Sequence, residues 1–126
     1  MAKLKEQMAM FNMSDACERV LKYVKAGYPL HTEAELKLFS LANAKEVVKE
    51  YVKKGNILCE EAQILVFNLE NFKDILNEYV RRYSLCQEAQ IKMFEVESAF
   101  DVVRTYVQYH ALCEDAVKKW QEMDVK

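Results

Sequence analysis

Leu30, Leu58, Leu85 and Leu112 stand 28, 27 and 27 residues apart, and what surrounds each leucine recurs with it without internal gaps. Alanine follows four residues on (Ala34, Ala62, Ala89, Ala116) and phenylalanine nine on (Phe39, Phe67, Phe94). Tyrosine follows twenty-one on (Tyr51, Tyr79, Tyr106), with valine after each. A further step of 28 toward the N-terminus reaches Phe11, Tyr23 and Val24, so the chain holds four units and a terminal half. A short unit copied at a fixed period cannot bury its apolar face alone. It buries it against its neighbours, in a stacked array rather than around one closed core.

Thirteen residues into each unit stand Asp15, Asn43, Asn71 and Ser98, with Glu18, Glu46, Asp74 and Asp101 three later. This spacing predicts a capping box. The first side chain accepts from a free N–H of a new helix, and the carboxylate reaches back to the first residue's own N–H. Each unit thereby divides into a shorter helix A and a longer helix B. In the unit 58–84, helix A (60–68) is apolar at Ala62, Ile64, Leu65, Val66 and Phe67, too wide a spread for a helix with one wet face, so it is expected to be nearly buried. Helix B (71–82) carries one apolar stripe, Phe72, Ile75, Leu76, Tyr79, Val80 and Tyr83, and is expected to form an outer, half-exposed layer. Gly27 and Gly55 end the first two B helices, where a left-handed residue costs glycine nothing.

Two glycines, one proline and 52% hydrophobic residues suit packed helices and argue against a sheet. Net charge is −2; residues 1–57 carry ten basic and seven acidic side chains, residues 58–126 eight and thirteen, so neither half is extreme. No apolar run approaches the roughly 20 residues that span a bilayer, and MAKLKEQMAMF lacks a signal peptide's apolar core. A cytoplasmic protein with reduced cysteines is expected.

The ends depart from the pattern. The first helix, expected over 2–12, puts Glu6 where later units have alanine and carries Met8, Met10 and Met13, a flexible surface through which self-association can be imagined, or simple gap-filling at an end. The last, 112–123, has Lys118 where internal units have Ile64 and Ile91, and Gln121 where they have Phe67 and Phe94. A polar outer face is what a capping helix needs.

His31, Cys59, Cys86 and Cys113 each follow the repeat leucine, which as a list is a zinc set. Stacked helices lie roughly 10 Å apart, whereas one zinc needs its ligands within about 2.3 Å, so no metal site is expected. The same spacing excludes disulfides, which need Cα atoms within about 7 Å. A thiol near a helix N-terminus can be activated, and His110 lies three residues before Cys113, but no third group completes a catalytic set. Cys17 falls elsewhere, in register with Lys45 and Lys73. Phosphate loops, zincin motifs, nucleophile elbows and calcium loops are absent from the sequence, and no catalytic residue or cofactor is expected.

Two columns remain as candidate partner contacts. Tyr51, Tyr79 and Tyr106 lie on the apolar stripe, where a ring packs and a hydroxyl can reach an edge. Lys45, Lys49, Lys53, Lys73, Arg81 and Arg104 lie on the wet side of the B helices, where stacking aligns them into a basic stripe that could meet phosphates or an acidic protein. Cations in a last turn also serve the helix dipole, which is the plainer reading of Lys53 and Arg81.

The unit LCEEAQILVFNLENFKDILNEYV resembles the short helical-hairpin repeats, of the form Leu-Ser-Glu-Glu-Ala-Glu then Leu-Phe, of uncharacterised bacterial proteins, with cysteine or histidine in place of the serine. The resemblance covers nearly the whole chain, and its periods are shorter than those of the TPR and HEAT classes. It implies an α-solenoid and no established activity. The expected fold is all-α, a right-handed superhelix of about four and a half helix-turn-helix repeats and about nine helices, in one domain with units at 2–29, 30–57, 58–84 and 85–111 and a cap at 112–123. The expected role is a non-enzymatic scaffold for a protein or peptide. A nucleic-acid binder using the basic stripe and a thiol-based redox protein are the alternatives.

Overall fold

The structure, a computed structural model, describes residues 3–124. Among them the chain is all-helical, with nine α-helices and no strand. The helices are α1 (Leu4–Met10), α2 (Ala16–Lys25), α3 (Thr32–Lys37), α4 (Ala44–Lys53), α5 (Glu60–Val66), α6 (Phe72–Val80), α7 (Gln87–Lys92), α8 (Ala99–Val107) and α9 (Glu114–Asp124). Single 3₁₀ turns, Leu38–Ser40 and Met93–Glu95, extend α3 and α7. The expected start of the first helix at position 2 lies outside the described residues.

Odd-numbered helices pack on odd ones in succession from α1 to α9, and even-numbered helices on even ones from α2 to α8. The recurrent residues supply these contacts. Ala34, Ala62, Ala89 and Ala116 are fully buried, small enough to let the helices of the odd series approach, while Leu58, Leu85, Tyr51, Val52, Tyr79, Val80 and Tyr106 belong to the buried core. The buried side chains form one contiguous cluster from Val20 to Tyr106.

Burial is shared more evenly than the apolar patterns suggest, which corrects the expectation of a nearly buried helix A and an outer helix B. In α5 only Ala62, Gln63 and Val66 are buried, with Phe67 just beyond, and Glu60 and Glu61 face solvent; α4 and α6 bury five and four residues respectively. Ile64 and Leu65 widen the apolar arc of α5 but stay partly exposed.

Gly27 and Gly55 adopt φ +91°, the left-handed turn expected of them. Where the later links have Tyr83 and His110 instead, the N–H of each donates to the carbonyl four residues back (Tyr79 and Tyr106, both 3.0 Å). One more helical hydrogen bond there replaces the glycine turn, and the link is a residue shorter.

The capping boxes do not form. Asp15, Asn43, Asn71 and Ser98 do occupy the N-cap position, yet none makes a side-chain cap bond. The A-to-B turns are closed by backbone instead: the N–H groups of Ala16, Ala44 and Phe72 donate to the carbonyls of Met13, Leu41 and Leu69, three residues back. With φ near −100° and ψ near 30°, Asn43 and Asn71 lie outside the extended region from which a cap side chain reaches the free N–H groups. Their amides turn to the preceding even helix, donating to the carbonyls of Cys17 (3.3 Å) and Lys45 (3.0 Å). Ser98 takes the left-handed conformation, φ 61°.

Phe67 is buried in the core and meets Phe72 with ring centroids 6.0 Å apart. Phe67→Ala is expected to lower the free energy of unfolding by about 3–5 kcal/mol, read by urea denaturation. A loss below about 1 kcal/mol would place the ring outside the core.

Candidate functional site

Each link from an even helix to the next odd helix exposes two successive backbone N–H groups that no helical carbonyl can serve. They belong to the repeat leucine and the residue after it. The leucine N–H donates to the hydroxyl of the tyrosine 21 residues later: Leu30 to Tyr51 (3.2 Å), Leu58 to Tyr79 (3.2 Å) and Leu85 to Tyr106 (3.1 Å). The next N–H donates to a buried side chain of the preceding odd helix: His31 to Gln7 (2.8 Å), Cys59 to Glu35 (2.9 Å), Cys86 to Gln63 (2.7 Å) and Cys113 to Gln90 (2.7 Å). Gln63 and Gln90 also donate through Nε2 to the carbonyls of Leu58 (3.0 Å) and Leu85 (2.8 Å), and Gln7 to that of Pro29 (3.1 Å).

The tyrosine candidates are therefore corrected. Tyr51, Tyr79 and Tyr106 are each 1% exposed, with the hydroxyl turned inward onto a leucine N–H, and none is free to stack on a partner. Burial pushes all three phenols up from their ordinary range, against the leucine N–H groups, which favour ionisation. At Tyr51 and Tyr79 the charge of Glu35 adds to the upward push.

Cys59 and Cys86 are the N-caps of α5 and α7, as His31 is of α3, and all four cysteines are free and half-buried. No three His, Cys, Asp or Glu side chains among the described residues come together in a metal-binding group. Burial, and then the Glu35 carboxylate beside it, push the Cys59 thiol up to about 11. That is opposite to the activation a helix N-terminus can give. The His110 imidazole, a possible partner for Cys113, instead lies 2.6 Å (Nε2) from the Val80 carbonyl oxygen.

Lys45, Lys49, Lys53, Lys73, Arg81 and Arg104 are all exposed, as a binding stripe requires. They are interleaved with acid. Lys45 pairs with Glu70 at 3.2 Å, and Lys49 and Arg81 line a hollow of about 290 Å³ together with Asp74, Asn77 and Glu78. Arg82, next in the chain, is drawn away from the stripe: its Nη1 donates to the carbonyls of Val52 and Lys53, both at 3.2 Å. A second hollow, of about 490 Å³, lies between α5 and α7 and is lined by Glu60, Cys86, Gln87, Glu88 and Ile91. Neither hollow brings together a nucleophile, a base and an oxyanion donor.

The column Gln7, Glu35, Gln63, Gln90 was missed as a column, although a polar residue five places after the repeat leucine stands in every full unit. Its burial beside the fully buried alanine is the signal that mattered. Comparison with protein-family models, with curated proteins and with solved structures gave no match.

Glu35 alone in that column cannot supply an Nε2–H, and it is 3% exposed. Glu35→Gln can donate to the Leu30 carbonyl as Gln63 does to Leu58, and is expected to stabilise the fold by about 1 kcal/mol in urea denaturation. An unchanged or lower stability would mean the carboxylate has better partners than an amide finds. The tyrosines set the alkaline limit. The folded chain holds their phenol protons beyond the unfolded value of about 10, so their stabilisation is complete below that pH and is lost as pH rises through the higher folded values. In an alkaline titration, phenolate absorbance of Tyr51, Tyr79 and Tyr106 should appear together with the loss of helical circular dichroism. Full ionisation with the helices intact would contradict the buried hydroxyls.

Proposed function

We propose that residues 1–126 form a single α-solenoid domain, a right-handed superhelix of about four and a half hairpin repeats, that acts as a non-enzymatic scaffold for a protein or peptide. A cytoplasmic setting, where the free thiols stay reduced, belongs to the same proposal. The observation that carries it is the mixed-charge strip over α4 and α6. Lys49 and Arg81 border Asp74, Asn77 and Glu78 in one open hollow, while the buried polar side chains are engaged in holding the links. A protein surface with both signs of charge can match such a strip group by group and gain specificity from it. A nucleic-acid backbone would meet the carboxylates as well as the cations. The raised Cys59 thiol favours neither a thiolate nucleophile nor a redox cysteine at that position.

The test is affinity capture from the native lysate with and without nuclease, using the wild-type chain and a Lys49→Glu, Arg81→Glu double variant. A discrete protein held by the wild type in both samples and lost or reduced at least tenfold with the double variant is the expected result. Material lost on nuclease treatment would overturn the reading in favour of a polyanion partner. A protein retained equally by both chains would remove the strip over α4 and α6 as its site.

A further inference from the structure

The two ends of the even series are finished differently. Val24, Val52 and Val80 are 0%, 1% and 2% exposed, whereas Val107, the equivalent residue of α8, is 37% exposed. Around it the sequence changes in a consistent direction. Phe100 stands where α4 and α6 have Lys45 and Lys73, and Tyr109 where the preceding links have Lys54 and Arg82. Both are exposed, at 44% and 48%. Phe100 leans on Trp120 of α9 with centroids 5.3 Å apart, and Val117, 37% exposed, lies one turn from that tryptophan. Phe100 and Val107 of α8 and Val117 of α9 thus leave apolar surface exposed at this end of the described residues.

We propose that this face is a self-association surface, on which the α8 of a second copy packs about a two-fold axis. The occupant follows from what the chain offers elsewhere. At the opposite end, Arg19 stands where the later even helices have the buried Val47, Ile75 and Val102, and it is paired with Asp15 at 3.2 Å; Glu6 stands in place of the buried alanines. A head-to-tail contact would set the Arg19–Asp15 pair against the apolar side chains of Val107 and Phe100, which offer it no hydrogen-bond partner. Continuation by one more unit of the same kind also fails. The N–H after each repeat leucine needs the acceptor that Gln7, Glu35, Gln63 and Gln90 provide, and the equivalent position on α9 is Val117. The apolar face therefore finds its complement in itself, as an isologous contact requires. Asp101 and Arg104, both exposed on α8, have opposite signs, so two copies bring no net charge together there. The even series would then run continuously from one copy into the other across the axis.

Sedimentation equilibrium of the full chain over a wide concentration range tests this. A monomer–dimer equilibrium with Kd in the micromolar range is expected, since the face is small beside the roughly 1,200 Å² or more of a strong interface. Phe100→Lys with Tyr109→Arg installs the residues that equivalent positions already carry, so the helices should keep their circular dichroism while Kd rises at least tenfold. Met13→Lys, at the other end, should leave Kd unchanged. A wild type that stays monomeric, a dimer insensitive to the double variant, a dimer broken by Met13→Lys, or open-ended growth with concentration would each overturn the proposal.

Discussion

Two backbone N–H groups at each helix-to-helix link set the terms for the rest of this molecule. They sit at a boundary where the even helix has ended and the odd helix has not begun, so no helical carbonyl serves them. In the links at Leu30, Leu58 and Leu85 the leucine N–H is taken by the tyrosine 21 residues on, and in all four links the next N–H is taken by an amide or carboxylate of the preceding odd helix. The first bond closes the hairpin. The second joins one hairpin to the next, so hairpin geometry and stacking geometry are fixed at the same two atoms.

That division explains which residues recur. Tyrosine is needed because its ring fills space between helices while its oxygen reaches a buried donor, a combination phenylalanine cannot offer. Glutamine is needed because one oxygen and one NH₂ can accept from the next link and donate to a carbonyl of its own. Glu35 keeps the first function and lacks the second, and its charge is felt by Tyr51 and Cys59. The cysteine at the link contributes its backbone, and its thiol is a small half-buried passenger. This accounts for the column His31, Cys59, Cys86, Cys113 without any chemistry of the side chains.

The helical class was legible in the sequence, in apolar residues at helical spacing with few glycines and prolines. The all-helical content and the number of helices were legible, and the two glycines marked left-handed turns that the structure contains. What sequence left unread was where polar side chains point. Asn43 and Asn71 have the identity and the spacing of helix caps, yet the backbone supplies its own acceptors at those turns and the amides reach across to the neighbouring helix. Gln63, which the apolar pattern of its helix passes over, accepts from the Cys86 N–H of the next link and donates to the Leu58 carbonyl. A one-letter pattern records that a residue is polar; the atom it meets depends on a link some 23 residues away. The tyrosine column shows the same limit from the other side, since a ring on an apolar stripe can point its hydroxyl outward or inward, and only the unserved leucine N–H decides.

The same bonds bear on what the surface can do. Tyrosine hydroxyls, glutamine amides and the Arg82 guanidinium, the groups best suited to grip a ligand, are held by backbone atoms of this chain. Reusing them for a partner would open the links that hold successive hairpins together. In the scaffold role proposed above, recognition would fall to residues that the packing does not employ: the alternating charges over α4 and α6, and the aromatic side chains of α8.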